Sequence, residues 1–223
     1  MTQKIMETTT TARRPLKTRQ KEWAKATAGF LVRQRIHPNL ISVLSIFCAA
    51  LAAVALSSSS YSTPVHRVLL LLVAAAGIQL RLLCNMLDGM VAVEGNMQTK
   101  TGEIFNDLPD RISDAIILVA AGYAVPDMPY GPVLGWCAAL LAVFTAYVRL
   151  LGGAAGLTQS FAGPMAKPHR MAALTLACVL SAIELKFLPA GLLIWVALVI
   201  IDLGCVITIC RRTALIFHGL ENR

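Results

Sequence analysis

Six apolar segments constrain the fold of this chain more than any other feature, because each is long enough to cross a membrane. A helix needs roughly 20 apolar residues to cross a hydrocarbon core of about 30 Å. An unpaired backbone group inside that core costs several kcal/mol, so each segment must be helical. We therefore predict an all-α polytopic membrane protein, with spans at 39–58, 67–91, 104–125, 131–152, 169–185 and 188–210.

Composition and charge agree with a membrane protein and argue against a soluble one. The chain of 223 residues is 57% hydrophobic and only 14% charged, which is typical of a polytopic membrane protein. Its formal net charge is +8, and nine of its 20 Lys and Arg residues precede Pro38. Basic residues clustered beside the first span favour contact with anionic lipid headgroups. We expect membrane lipids as partners and no nucleic acid.

The N-terminal part differs from the rest of the chain. Residues 1–13 are polar and rich in Thr, which predicts a disordered tail. Residues 14–37 mix aromatic and aliphatic side chains with basic ones, which predicts a juxtamembrane amphipathic helix lying in the membrane interface. We assign 38–217 to a six-helix transmembrane domain and 218–223 to a short tail.

Loop charges predict the orientation of the six spans. The N-terminus, the loops after spans two and four, and the C-terminal tail carry the basic residues, whereas the other loops carry few. Basic residues accumulate on the cytoplasmic side. This pattern places both termini in the cytoplasm, and we expect an integral protein of a bacterial inner (plasma) membrane.

Half of the twelve acidic residues of the chain lie between Asp88 and Asp114, at the predicted cytoplasmic face. Positions three or four apart share one face of a helix, so two adjoining helix ends bring several oxygen-bearing side chains together. The second span supplies Asn85, Asp88 and Gly89, and the third supplies Gly102, Asn106, Asp107, Asp110 and Asp114.

Crowded carboxylates at a membrane edge are costly unless something compensates their charge. Divalent cations such as Mg²⁺ or Mn²⁺ prefer oxygen ligands and often bridge to substrate phosphates. The pattern therefore favours a site for a metal-bound phosphate. An acidic residue such as Asp107 has a simpler interpretation too, since carboxylates stabilise the positive end of a helix dipole.

The spacing of these residues resembles the signature of the CDP-alcohol phosphotransferase (phosphatidyltransferase) family, D-x2-D-G-x2-A-R-x8-G-x3-D-x3-D. All spacings are kept here, and five of the eight fixed positions match: Asp88, Gly89, Ala92, Gly102 and Asp110. Asn85 and Asn106 replace aspartates, and Val93 replaces the arginine. The stretch "HPNLIS" before the first span is also similar to the family.

The resemblance implies a phosphotransferase whose catalytic domain is the six-span bundle. In this family, two divalent cations held by four aspartates bind the diphosphate of a CDP-linked lipid such as CDP-diacylglycerol. A small acceptor alcohol attacks the β-phosphorus, CMP leaves, and a phospholipid forms. By this resemblance the metal ligands are Asn85, Asp88, Asn106 and Asp110, the cofactor is Mg²⁺ or Mn²⁺ (one or two ions), and Asp110 is the base.

Other roles are implied in the same way. Gly89, Ala92 and Gly102 would make room for the cytidine. Basic residues after span four are candidates to bind a substrate phosphate, namely Arg149, Lys167 and Arg170, although basic residues there also set the topology. The family is commonly dimeric, so we expect a homodimer.

The departures from the signature leave three hypotheses. Asn keeps a carbonyl ligand but brings no charge, so Asp107 or Asp114 would supply the missing carboxylate in a remodelled active site. Alternatively, the chain is a one-metal variant acting on a different substrate. In the third hypothesis it has lost transfer activity and serves as a lipid-binding scaffold or carrier.

Overall fold

The computed structural model describes residues 21–97, 102–184 and 188–222, apart from the side chains at positions 103, 106 and 182–184. All regular secondary structure in this described part is helical, which confirms the all-α prediction. The helices are α1 (Glu22–Arg33), α2 (Pro38–Ser59), α3 (Pro64–Glu94), α4 (Gly102–Tyr123), α5 (Gly131–Ala154), α6 (Lys167–Glu184) and α7 (Leu192–Glu221).

Proline and glycine set several of the helix boundaries. Pro38 and Pro64 are the first residues of α2 and α3, where the missing N–H of proline costs no helical hydrogen bond. Gly191, in the left-handed region at φ 91°, precedes α7. These signals are local, and helices α2 to α7 correspond one to one with the six predicted spans.

Helix lengths differ from the predicted ones at both ends of the chain. Helix α1 ends at Arg33, four residues before the predicted boundary at 37, and Arg35 adopts a positive φ of 55°. Helix α7 continues to Glu221 and so includes most of the predicted tail. The predicted tail 1–13 and residues 14–20 lie outside the described residues, and the interfacial position of α1 stays a prediction.

Four helices of the described part are long and apolar enough to cross a membrane, namely α2, α3, α5 and α7. Helices α4 and α6 have 22 and 18 residues, but both carry charged side chains in their N-terminal halves. The count of six spans therefore stays a prediction.

The six long helices form a closed ring of neighbours in the order α2, α3, α6, α7, α5, α4. Their shared core contains many alanines together with Leu, Ile and Cys side chains. Small residues allow helices to approach closely, which is how helices pack when lipid surrounds them. Helix α1 packs outside the ring on α3, where Ala24 and Ala28 contact a cluster that includes Met86 and Val91.

The alternating chain direction brings six helix ends to one end of the bundle. These are the C-terminal parts of α3, α5 and α7 and the N-terminal parts of α2, α4 and α6. Most of the buried charged side chains of the described residues lie on these segments. The acidic stretch and the basic residues after span four therefore meet there.

Candidate functional site

Nine polar and charged side chains form a connected group at this end of the bundle, which we call the polar cluster. Its members are Arg81, Asn85 and Asp88 on α3, Asp107, Asp110 and Asp114 on α4, Arg149 on α5, and Lys167 and Arg170 on α6.

Asp110 lies at the centre of the polar cluster and is buried. Its Oδ1 is 3.0 Å from Nη2 of Arg81, which also donates to the Asp110 backbone carbonyl at 3.0 Å. Its Oδ2 accepts a hydrogen bond from the ammonium of Lys167. Helices α3, α4 and α6 are thus joined through this single carboxylate.

Asp114, one helical turn deeper, is held by two arginines. Its Oδ1 lies 2.8 Å from Nη2 of Arg81, and its Oδ2 accepts from Nη2 of Arg170 at 3.0 Å. Arg170 is buried and donates through Nη1 to the Thr145 hydroxyl and to the Met165 carbonyl. Asp114 is therefore enclosed by protein cations.

Asp107 lies nearer the surface and pairs with a different set of cations. Its Oδ2 is 3.1 Å from Arg111 and 3.0 Å from Arg149. The guanidinium of Arg149 also stacks over the Phe161 ring at 5.4 Å, a distance at which a cation–π attraction operates. Asp107 thus orients Arg149 instead of joining Asp110.

Asp88 has a different environment from the other carboxylates. It is buried, with 3% of its surface exposed, and its Oδ2 accepts a hydrogen bond of 2.6 Å from the Ser42 hydroxyl of α2. Its Oδ1 is buried and has no hydrogen-bond partner among the described residues. It lies close enough to Asp110 and Lys167 to interact with both electrostatically.

Lys167 connects the first and last positions of the signature. Its ammonium donates to Asn85 Oδ1 at 2.5 Å and to Asp110 Oδ2. Lys167 is the first residue of α6 and only 18% of its side chain is exposed. The ammonium of Lys167, held between an amide oxygen and a carboxylate, therefore occupies a position that would also suit a metal cation.

The remaining predicted site residues lie around this group. Gly89 is buried on α3, Ala92 is half-buried one turn later, and Gly102 begins α4. Asn106 belongs to α4, but its side chain lies outside the described residues.

The loop that precedes Lys167 is fixed to α7. Nε of Arg212 donates to the Ala162 carbonyl at 2.9 Å, and the Thr208 hydroxyl accepts from the Met165 N–H at 3.0 Å. Gly163 has a φ of 116°, and a side chain there would meet Thr208. Helix α7 thereby determines where the ammonium of Lys167 lies.

A cleft of about 270 Å³ opens between the C-terminal parts of α5 and α7 and the loop that joins α5 to α6. Arg149 and Arg212 line it, together with the polar side chains of Thr158 and Ser160. Two guanidinium groups in one small cleft suit an anionic ligand.

The sequence alone assigns no site role to Arg81, a basic residue near the loop after span two, or to Ser42. Arg81 is fully buried and bridges Asp110 and Asp114. It lies four residues before Asn85 and seven before Asp88, on the same face of α3. That periodicity could have revealed Arg81, whereas no local pattern could have revealed Ser42 on another helix.

Within the polar cluster, Asp88 is the carboxylate best suited to bind a divalent cation. The unpartnered Oδ1 of Asp88 is the kind of buried oxygen that a hard cation prefers. Asp107, Asp110 and Asp114 are each paired with two basic side chains. In the described part of the chain, no group of three or more His, Cys, Asp or Glu side chains is arranged to hold a metal.

Comparison with known proteins agrees with this architecture. The sequence pattern of the CDP-alcohol phosphatidyltransferase family matches residues 35–210. The chain therefore belongs to the CDP-alcohol phosphatidyltransferase family, as the signature predicted.

Two curated relatives match most of the chain. Inner membrane protein YnbA of Escherichia coli (strain K12) is 28% identical over 191 residues, which is 86% of this chain and 90% of YnbA. An uncharacterized protein of Aquifex aeolicus (strain VF5) is 27% identical over 201 residues, covering 89% of this chain and 91% of that protein.

Solved structures share the fold. The phosphatidylinositol phosphate synthase PgsA1 of Mycobacterium tuberculosis, in complex with manganese and citrate, superposes with a TM-score of 0.72 at 20% identity, over 87% of this chain and 88% of that one. Its structure with CDP-DAG bound gives the same TM-score of 0.72 and 20% identity, over 87% of this chain and 93% of that one.

Proposed function

We propose that this protein is a membrane phosphotransferase of phospholipid synthesis. It moves a phosphatidyl or related phospho-alcohol group from a CDP-linked lipid to an acceptor alcohol, and CMP is released. Membership of the family supports the reaction class. The observation that carries the proposal is the arrangement of the signature residues: Asp88 offers a free buried oxygen beside Asp110 and Lys167.

The proposed substrates follow from the family and the neighbouring structures. PgsA1 has been solved with CDP-DAG and with manganese, which supports a lipid similar to CDP-diacylglycerol as donor and Mg²⁺ or Mn²⁺ as cofactor. In this chain Asp88 and Asp110 would hold the metal, with amide oxygens of Asn85 and Asn106 as further ligands. When bound, the cation neutralises the charge of the diphosphate.

The residues of the chain contribute position and charge. Asp110 is proposed as the base that accepts the proton of the acceptor hydroxyl. Arg81 holds its Oδ1, and its Oδ2 retains a second lone pair beside the Lys167 contact. The hydroxyl oxygen bonds to the β-phosphorus, and the bond from that phosphorus to CMP breaks. Such catalysis depends mainly on orientation and charge stabilisation.

The predicted phosphate-binding residues differ in exposure. Side chains of Arg149 and Lys167 are 17% and 18% exposed, and Arg149 also lines the cleft beside Arg212. We propose that these two contact substrate phosphate. The side chain of Arg170 is 2% exposed, and its two terminal nitrogens contact Asp114, Thr145 and Met165, so we propose that it positions Asp114.

The small residues of the signature are proposed to contact the nucleotide. Gly89, Ala92 and Gly102 lie at the facing ends of α3 and α4. Their lack of bulk leaves room for the cytidine of the donor between these helix ends.

The proposed location is the bacterial inner membrane with the site at the cytoplasmic face, which the inner-membrane designation of YnbA supports. We also propose a homodimer, as in the family.

The function is tested by CMP release from CDP-diacylglycerol by the purified protein, with Mg²⁺ or Mn²⁺ and a panel of alcohols. We expect turnover with at least one acceptor, and a loss of about 100-fold or more in Asp88→Asn, a nearly isosteric change at a group that contacts the reacting charge. Asp127→Asn, an exposed change in the loop between α4 and α5, is the matched control and should retain full activity.

A binding protein without turnover is the second candidate, because three of the clustered carboxylates are already neutralised by basic side chains of the chain itself. Such a protein would bind CDP-diacylglycerol and release no CMP with any acceptor at any metal concentration. That result would refute the proposed transfer reaction.

A further inference from the structure

We propose that the ammonium of Lys167 takes the place of one of the two divalent cations of the family signature, so that this chain binds a single divalent cation, at Asp88. The inference rests on the proposed function and deepens it, since it states how the chain neutralises a diphosphate with an altered signature.

The charge of the signature is consistent with one divalent ion. Four aspartates balance the four positive charges of two divalent cations. Here Asn85 and Asn106 leave two carboxylates in the signature, Asp88 and Asp110, which balance one such ion. A second divalent ion would add uncompensated positive charge next to an ammonium that is already present, and this repulsion opposes its binding.

The contacts of Lys167 match those expected of a substitute cation. The ammonium donates to Asn85 Oδ1 at 2.5 Å and contacts Asp110 Oδ2, the first and last positions of the signature. An amide oxygen satisfies a lysine donor without adding charge. Two of the three ammonium donors are thereby used, and the third is available for a phosphate oxygen.

The position of Lys167 is built into the fold. It begins α6, and the loop before it is anchored to α7 by Arg212 and Thr208. The side chain is mostly enclosed, with 18% of its surface exposed. Because the fold holds the ammonium of Lys167 in this position, no cation from solution is needed there.

Asp88 remains as the site for the single ion. Ser42 fixes its Oδ2, while Oδ1 is buried with no hydrogen-bond partner among the described residues. A divalent cation would give this oxygen the partner that buried polar atoms nearly always have. Asp107 and Asp114, the cluster carboxylates outside the signature, each pair with two basic side chains and do not compete for the ion.

Counting bound Mn²⁺ on the purified full-length protein tests the inference without turnover. Equilibrium dialysis followed by electron paramagnetic resonance of the free ion gives the number bound per chain, with and without CDP-diacylglycerol. We expect one Mn²⁺ for the wild type and at least about 10-fold weaker binding for Asp88→Asn. Asn85→Asp alone should still bind one ion, because the new carboxylate pairs with Lys167.

The decisive variant is the double change Asn85→Asp with Lys167→Met, which restores a carboxylate and removes the ammonium. It should bind two Mn²⁺ per chain. Lys25→Met, an exposed lysine of α1, is the matched control and should bind one. Two ions on the wild type, or one ion on the double variant that is folded by its thermal transition, would overturn the inference.

The single-ion inference and the proposed transfer reaction can be refuted independently of each other. If the wild type binds two Mn²⁺ and releases CMP, the inference is wrong and the proposed function stands. If it binds one Mn²⁺ and releases no CMP with any acceptor, the proposed function is wrong and the ion count is supported.

Discussion

Arg81 shows how one side chain organises the buried charges of this protein. Its guanidinium is fully buried and contacts Asp110 and Asp114 through the same nitrogen, at 3.0 and 2.8 Å. It also donates to the Asp110 carbonyl at 3.0 Å. A buried cation between two buried carboxylates compensates the charge of both and holds them in place. Arg81 thus determines the orientation of the proposed base.

We predict that Arg81→Met lowers the free energy of unfolding by about 3–5 kcal/mol, because it leaves two buried carboxylates without their shared cation. Thermal unfolding in detergent would measure this as a lower transition temperature. Arg81→Lys should recover part of the loss. Arg33→Met, at an exposed position of α1, should leave the transition unchanged, and an Arg81→Met transition equal to wild type would contradict the prediction.

Helices α4 and α5 pack closely against each other where glycines of both helices meet. A Cβ on Gly122 would lie 2.9 Å from Cα of Gly135 and 2.7 Å from the Gly131 carbonyl, and a Cβ on Gly135 would lie 2.8 Å from Cα of Gly122. These obstacles are backbone atoms, which cannot move aside without separating the helices. The glycines therefore hold α4 and α5 together at the end of the bundle opposite the polar cluster.

We predict that Gly122→Ala destabilises the protein by about 1–3 kcal/mol, the usual cost of overpacking a close contact. Gly29→Ala in α1 is the matched control, because a Cβ there meets nothing within 4 Å. It should be neutral or slightly stabilising, since alanine favours helix over glycine. Thermal unfolding of the two variants side by side would measure the difference, and equal transition temperatures would contradict the explanation.

The closed ring of six helices places the polar cluster at one end of the molecule. In the ring order α2, α3, α6, α7, α5, α4, the polar cluster takes its side chains from four helices, α3, α4, α5 and α6. Loop charges predict that this end faces the cytoplasm. The loops at the opposite end would then face outward, including the segment around Tyr61, which is 85% exposed.

Cysteine labelling tests this orientation and the six-span topology together. In a background without the native cysteines, we expect Tyr61→Cys and Asp127→Cys to react with a membrane-impermeant maleimide added outside intact cells. Thr158→Cys, in the loop between α5 and α6, should react only after the cells are opened. Labelling of Thr158→Cys from outside would contradict the prediction.

The sequence by itself determined the helices, their order and the positions of the signature. Helix formation in lipid depends on backbone hydrogen bonds within each segment, and Pro38 and Pro64 mark boundaries through local geometry. The helical period also placed Asp110 and Asp114 on one face. These properties need no knowledge of distant residues, so they could be read from the chain.

Only the tertiary structure decided which cation meets which carboxylate. Lys167 is 82 residues from Asn85 and 57 from Asp110, and Ser42 is 46 residues from Asp88. Such pairs depend on the ring order of the helices and on the anchoring of the α5–α6 loop by α7. Side-chain charges act over a few ångströms in space regardless of their separation along the chain, and for that reason the partners of the acidic stretch emerged only once the bundle was assembled.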